Sequence, residues 1–149
     1  MFTMFINCLS QVKSYDMEIT SITATLGAEN FYPRLTDGTH TIIGDEPLDT
    51  GGQDQGLDPY ELVLAGLALC KAATMRLYAQ RKGWDTGDIQ VHIDLETAKG
   101  QKPKFSSRIH FSGKLSAEQQ QRIIAIGDKC PTHRLLEAEK TFETKVEGA

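Results

Sequence analysis

Cysteine is scarce in this chain: Cys8, Cys70 and Cys130 are an odd number of thiols at wide spacing. That excludes the disulfide framework of a small secreted protein and points to a reducing compartment, the cytoplasm, where thiols stay free or act transiently. Cys70 and Cys130 stand sixty residues apart, so the Cys-x-x-Cys motif of dithiol oxidoreductases is absent. Basic blocks and aromatic RNA-binding motifs are also lacking, and the net charge is −4, so no nucleic-acid partner is expected. Residues 1–16 show neither a positive n-region nor a clean apolar stretch, which reads as an extension outside the basic fold rather than a signal peptide. The uninterrupted apolar run from Leu62 stops at Cys70, with Lys71 following, too short to cross a membrane. The Gly- and Asp-rich stretch 45–58 lacks both the Gly-Lys-Ser/Thr ending of a phosphate-binding loop and the spacing of an EF-hand. It reads as a structural connector.

What is present begins with that apolar run. Asp58 suits an N-cap, Pro59 the first helical position, and Glu61 the closing position of a capping box. Gly83 supplies a left-handed stop after Arg81 and Lys82. The predicted helix, Pro59 to Lys82, is about 36 Å long. From Leu62 to Cys70 it offers no polar stripe, so it must be buried all round. A chain with 40% hydrophobic residues and one domain's length cannot easily cover such a helix alone, and a second copy is the expected cover.

Before this helix, the β-branched run from Met17 to Leu26 predicts a strand. Asp37-Gly38 between two β-prone runs predicts a hairpin with a primed turn, and Pro33 places its first arm at an edge or bulge. Arg34 then reads as an edge-strand cation. After the helix, Asp88–Glu96 alternates without error and pairs with a strand from Lys104 to Ser112. His92 and His110 fall on the polar faces, and as a metal pair they would need a third ligand that nothing signals. A helix opens at Ser116 with Gln119 closing its capping box, and runs to about Lys129. Pro131 puts Cys130 at the N-cap of a further helix, and Thr141–Glu147 alternates as a last strand. Strands, long helix, strands, helices and strand make an α+β fold with mostly antiparallel sheet.

Two thiols carry candidate chemistry. Cys70, within a buried helix, is by default a small hydrophobe. Cys130, at a helix start, is where a thiolate gains from the helix dipole. Asp45-Glu-Pro, Gly51-Gly52, Gly56, Pro59-x-Glu61-Leu62 with Cys70 eleven residues after that proline, and Cys130-Pro131 before a short apolar helix together resemble the OsmC/Ohr family. The resemblance spans roughly Met17 to Val146, so residues 17–149 are expected to be a single domain of that kind. It implies an intertwined homodimer whose sheets wrap the central helix. It also implies a thiol peroxidase that reduces organic hydroperoxides, with Cys70 attacking the peroxide and Cys130 resolving the sulfenic acid. A dithiol such as dihydrolipoamide would then reduce the disulfide. The resemblance further implies an arginine of the N-terminal strands beside the nucleophile, here Arg34, and a glutamate near the helix start. The family's peroxidase branch usually has Pro-Glu; Pro59-Tyr60-Glu61 shifts the acid by one residue, about 100° around the helix. No cofactor and no metal are expected. The alternative is a non-catalytic dimer holding a small apolar or lipid-like ligand, its cysteines being packing residues.

Overall fold

A computed structural model describes residues 19–28 and 33–148. Cys8, the proposed extension 1–16 and the start of the first predicted strand lie outside them. The chain divides into two compact units, one ending at Gly56 and the other beginning at Leu57.

In the first unit, β1 (Thr23–Thr25), β2 (Arg34–Thr36) and β3 (Thr41–Ile43) form an antiparallel sheet in that order. β2 is therefore central, and Arg34 faces Thr25 on one side and Ile43 on the other. This corrects the edge-strand expectation: Pro33 precedes the strand, so its missing N–H interrupts no ladder position, and its carbonyl accepts from Gly44 N–H at 3.2 Å. The hairpin is present with a different turn. Asp37 has ordinary backbone geometry, and its carboxylate accepts from the N–H groups of Thr39 (2.8 Å) and His40 (2.7 Å), so the side chain closes the loop. Those bonds hold the Asp37 carboxyl down at about 2.

The connector that follows is built on one buried carboxylate. Asp45 accepts from Glu46 N–H (2.8 Å), Gln53 N–H (3.2 Å) and Gln55 N–H (2.9 Å). The bond from Gln55 does most to hold its carboxyl below the usual range, against the effect of burial. A short 3-10 turn, Leu48–Thr50, ends at Gly51 with φ 100°, and a Cβ on Gly52 would collide with the Glu46 carbonyl. The glycines thus let the loop close around Asp45.

In the second unit, α1 (Pro59–Lys82) has the predicted bounds. Asp58 Oδ1 accepts from Glu61 N–H at 2.8 Å, Glu61 Oε2 accepts from Asp58 N–H at 3.0 Å, and Gly83 is left-handed at φ 66°. β4 (Ile89–Glu96) and β5 (Lys104–Phe111) pair antiparallel over their whole length, with Val91 opposite Ile109. His92 bonds Asp94 at 3.0 Å on the wet face, and His110 stands opposite Gln90. α2 (Ala117–Gly127) starts in the predicted capping box, and α3 (Pro131–Glu137) has Cys130 as N-cap. α1, α2 and β4 enclose a core of Met75, Ala79 and Ile123, with Trp84, Ile89 and Phe111 packed against it.

One expectation is corrected here, that of the last strand; all-round burial of α1 is expected only with a second copy present. Within one chain α1 buries a single stripe, Leu67, Lys71, Met75 and Ala79, while Leu69 is 72% and Leu77 55% exposed. Within the second unit, the described elements α2, α3 and β4 pack against α1. By length and composition α1 is apolar enough to cross a membrane, but this stripe packs it as a core helix against α2, α3 and β4. The alternating segment Thr141–Glu147 forms no strand, and Phe142 and Val146 stand exposed, because no ladder within the described residues receives it.

Candidate functional site

The site is assembled by a close approach of two helices. Gly127 ends α2 against α1, where an added Cβ would meet Met75 Cγ at 2.8 Å and Sδ at 3.0 Å. The missing side chain lets the corner between α2 and α3 settle onto α1, one turn from Cys70 and Lys71. Asp128 then reaches Lys71, and Cys130 comes beside Cys70, each thiol acting on the other's protonation. Both are free thiols, Cys130 buried and Cys70 half-buried.

Pro131 at the first position of α3 has no N–H to offer, so the next two amides are the free donors of this helix start. They are divided between the sulfurs. His133 N–H bonds Cys130 Sγ at 3.4 Å, whereas the Thr132 N–H acts on Cys70. For Cys70, burial pushes the thiol up, but the Thr132 hydroxyl and N–H, the Cys130 thiol and the Thr74 hydroxyl outweigh it, and the net displacement is downward. Cys130 goes the other way. Its complete burial dominates and the neighbouring Cys70 adds to it, against the His133 amide and the charge of Lys71. At the helix start Cys130 gains one amide while burial pushes its thiol up, and Cys70 is displaced downward.

Lys71 is 2% exposed, and its Nζ donates to Asp128 Oδ1 at 2.5 Å. His133 bonds Glu137 through Nε2 at 3.1 Å, while its buried Nδ1 has no partner among the described residues. A cleft of about 850 Å³ opens beside these groups, lined by Leu67, Lys71, Phe105, Ile124, His133 and Leu136 among others; neither sulfur lines it.

Of the residues singled out in the sequence, Cys70 and Cys130 are brought together. Glu61 is engaged in its capping box, nine residues and roughly 13 Å along the helix axis from Cys70. Arg34 lies on β2 in the first unit. Thr132, Thr74 and Lys71 were not anticipated. Signals for them existed: Pro131 predicts free amides behind it, Thr74 is four residues from Cys70 on one helix face, and Lys71 breaks an apolar run. No cluster of His, Cys, Asp or Glu suited to a metal occurs among the described residues.

This arrangement, two thiols of opposite displacement held between a long central helix and a short capping helix in an α+β fold, defines a class of thiol protein. The family model for OsmC-like protein matches residues 52–145, more than half of the sequence, and the chain belongs to that family. No protein of curated function matches it. Among solved structures, an OsmC-like protein of Mycoplasma pneumoniae shares 22% identity at TM-score 0.65, covering 81% of this chain and 89% of its own. An organic hydroperoxide resistance protein OsmC of Legionella pneumophila shares 21% at TM-score 0.59, over 81% of this chain and 90% of the other. The organic hydroperoxide resistance protein OhrB of Bacillus subtilis shares 19% at TM-score 0.58, over 80% and 91%. At these identities the likeness speaks to the fold, α+β with one long helix and small antiparallel sheets.

Proposed function

We propose that this protein reduces organic hydroperoxides, with Cys70 as nucleophile and Cys130 as resolving thiol. The observation that supports it most directly is the meeting of the two sulfurs, with Cys70 the easier thiolate and Cys130 held protonated beside it. The Cys70 thiolate attacks the terminal peroxide oxygen; the S–O bond forms, the O–O bond breaks, and the alkoxide leaves as alcohol after taking a proton. Cys130 then attacks the Cys70 sulfur, the S–O bond breaks, and hydroxide departs to become water. A dithiol reduces the disulfide, returning two electrons and two protons.

Names of structural neighbours that refer to organic hydroperoxide resistance agree with this chemistry. Arg34 enters the proposal as the cation that supports the Cys70 thiolate, and Glu61 as the residue that fixes the start of α1. The working unit is a homodimer, favoured by the exposed Leu69 and Leu77 on α1 and by the unpaired Phe142 and Val146.

Turnover of cumene hydroperoxide with a dithiol is the decisive measurement. We expect consumption well above a Cys70→Ser control, and a dimedone-trappable sulfenic acid that persists in Cys130→Ser. No consumption above that control would leave the non-catalytic, ligand-holding dimer as the reading.

A further inference from the structure

We infer that Lys71 is a positioning residue for the second half-reaction, holding its ammonium where negative charge develops on Cys130 as that sulfur attacks the Cys70 sulfenic acid. The inference rests on the peroxidase reading and adds to it a residue and a step.

Three observations meet here. Lys71 occupies the buried stripe of α1 between Leu67 and Met75, at 2% exposure, while Leu69 two positions away is 72% exposed. An apolar side chain would complete that stripe, and exchanging a buried ion pair for well-packed hydrophobic groups is often neutral or stabilising. Packing therefore does not account for a lysine at this place. Second, its partner Asp128 is half-exposed and two residues before Cys130, so the pair ties α1 to the segment that carries the resolving thiol. Third, the charge of Lys71 favours the Cys130 thiolate, against the burial that pushes that thiol up.

The other ionisable groups lining the adjoining cleft are Asp128, Lys129, His133 and Glu137; β5 presents Phe105, Ser107 and Ile109, which carry no charge. Lys71 is thus the buried cation of this neighbourhood. In the resolving step the proton leaves Cys130 for solvent, the S–S bond forms as the S–O bond breaks, and the departing hydroxide takes up a proton. Lys71 stays paired with Asp128 throughout and eases the transient thiolate.

The test separates the two steps by stopped flow after one equivalent of cumene hydroperoxide. In Lys71→Met the rate of Cys70 oxidation should stay within about twofold of wild type. Disulfide formation should slow about tenfold, the scale of one unit of lost thiolate stabilisation, and its pH profile should move to higher pH. Lys71→Arg should restore much of the rate. Equal disulfide rates in wild type and Lys71→Met would overturn the inference, as would both steps slowing together. A peroxide-free measurement keeps the two proposals apart. In a Cys8→Ser, Cys70→Ser background, ultraviolet titration of the Cys130 thiolate should shift upward with Lys71→Met. An unmoved titration would refute the role of Lys71 even if peroxide proves not to be the substrate.

Discussion

At the scale of single residues, the division of labour between the thiols comes down to hydrogen-bond donors set against burial. Cys130 sits at the helix start, yet the first free amide of α3 serves Cys70, and complete burial holds Cys130 protonated. Thr132 is the side chain that decides this balance. In Thr132→Val the hydroxyl is lost and the amide kept, so the Cys70 pKa should rise. A lowered thiol pKa means more thiolate at neutral pH; raising it should cut the alkylation rate of Cys70 by iodoacetamide several-fold near pH 7 and leave it little changed at high pH. An unchanged neutral-pH rate would assign the displacement to the Thr132 amide, Thr74 and Cys130 alone.

At the scale of elements, what was legible in the sequence was what local chemistry decides. Asp58, Pro59, Glu61 and Gly83 specify both ends of α1 through their own hydrogen bonds, and the structure has those ends. β4 was legible because one wet face forces strict alternation. What depended on distant partners was not legible. Arg34 looked like an edge residue because Pro33 precedes it, and sequence alone does not tell a proline just outside a ladder from one within it. Thr141–Glu147 alternates like a strand but has no ladder to join within its own chain. The role of Gly127 was invisible, since a glycine that admits Met75 is meaningful only once α1 and α2 are packed. Gly127→Ala should cost about 1–3 kcal/mol by overpacking, measured by urea denaturation. It should also slow disulfide formation by lifting the corner that carries Cys130 away from α1. Wild-type stability and disulfide rate together would mean that Met75 yields without moving the corner.

At the scale of the whole molecule, the described residues bury α1 along a single stripe and leave Leu69 and Leu77 exposed, which is the surface the proposed second copy would cover. Sedimentation at micromolar concentration should give about twice the 16.5 kDa chain mass. Leu69→Glu, a charge placed in the exposed apolar surface, should lower the fraction of dimer. A well-folded monomer of full activity would remove the dimer from the proposal and with it any contribution of a partner to the thiols.

At the start of α3 the His133 amide bonds the Cys130 sulfur and the Thr132 amide favours the Cys70 thiolate, and this couples the redox state of the protein to the firmness of a helix. While Cys70 is a thiolate, the Thr132 amide has a charged acceptor and the His133 amide holds the Cys130 sulfur. In a Cys70–Cys130 disulfide neither sulfur can be charged, so the Thr132 amide loses its charged acceptor while the His133 amide keeps a neutral sulfur as before. Oxidation should therefore loosen the first turn of a seven-residue helix that has little stability of its own. Hydrogen exchange at Thr132 should be faster in the disulfide form than in the dithiol form, with the α1 core unchanged. The helix that lies over the bond would then open most readily once that bond exists, which is when a reductant has to reach it.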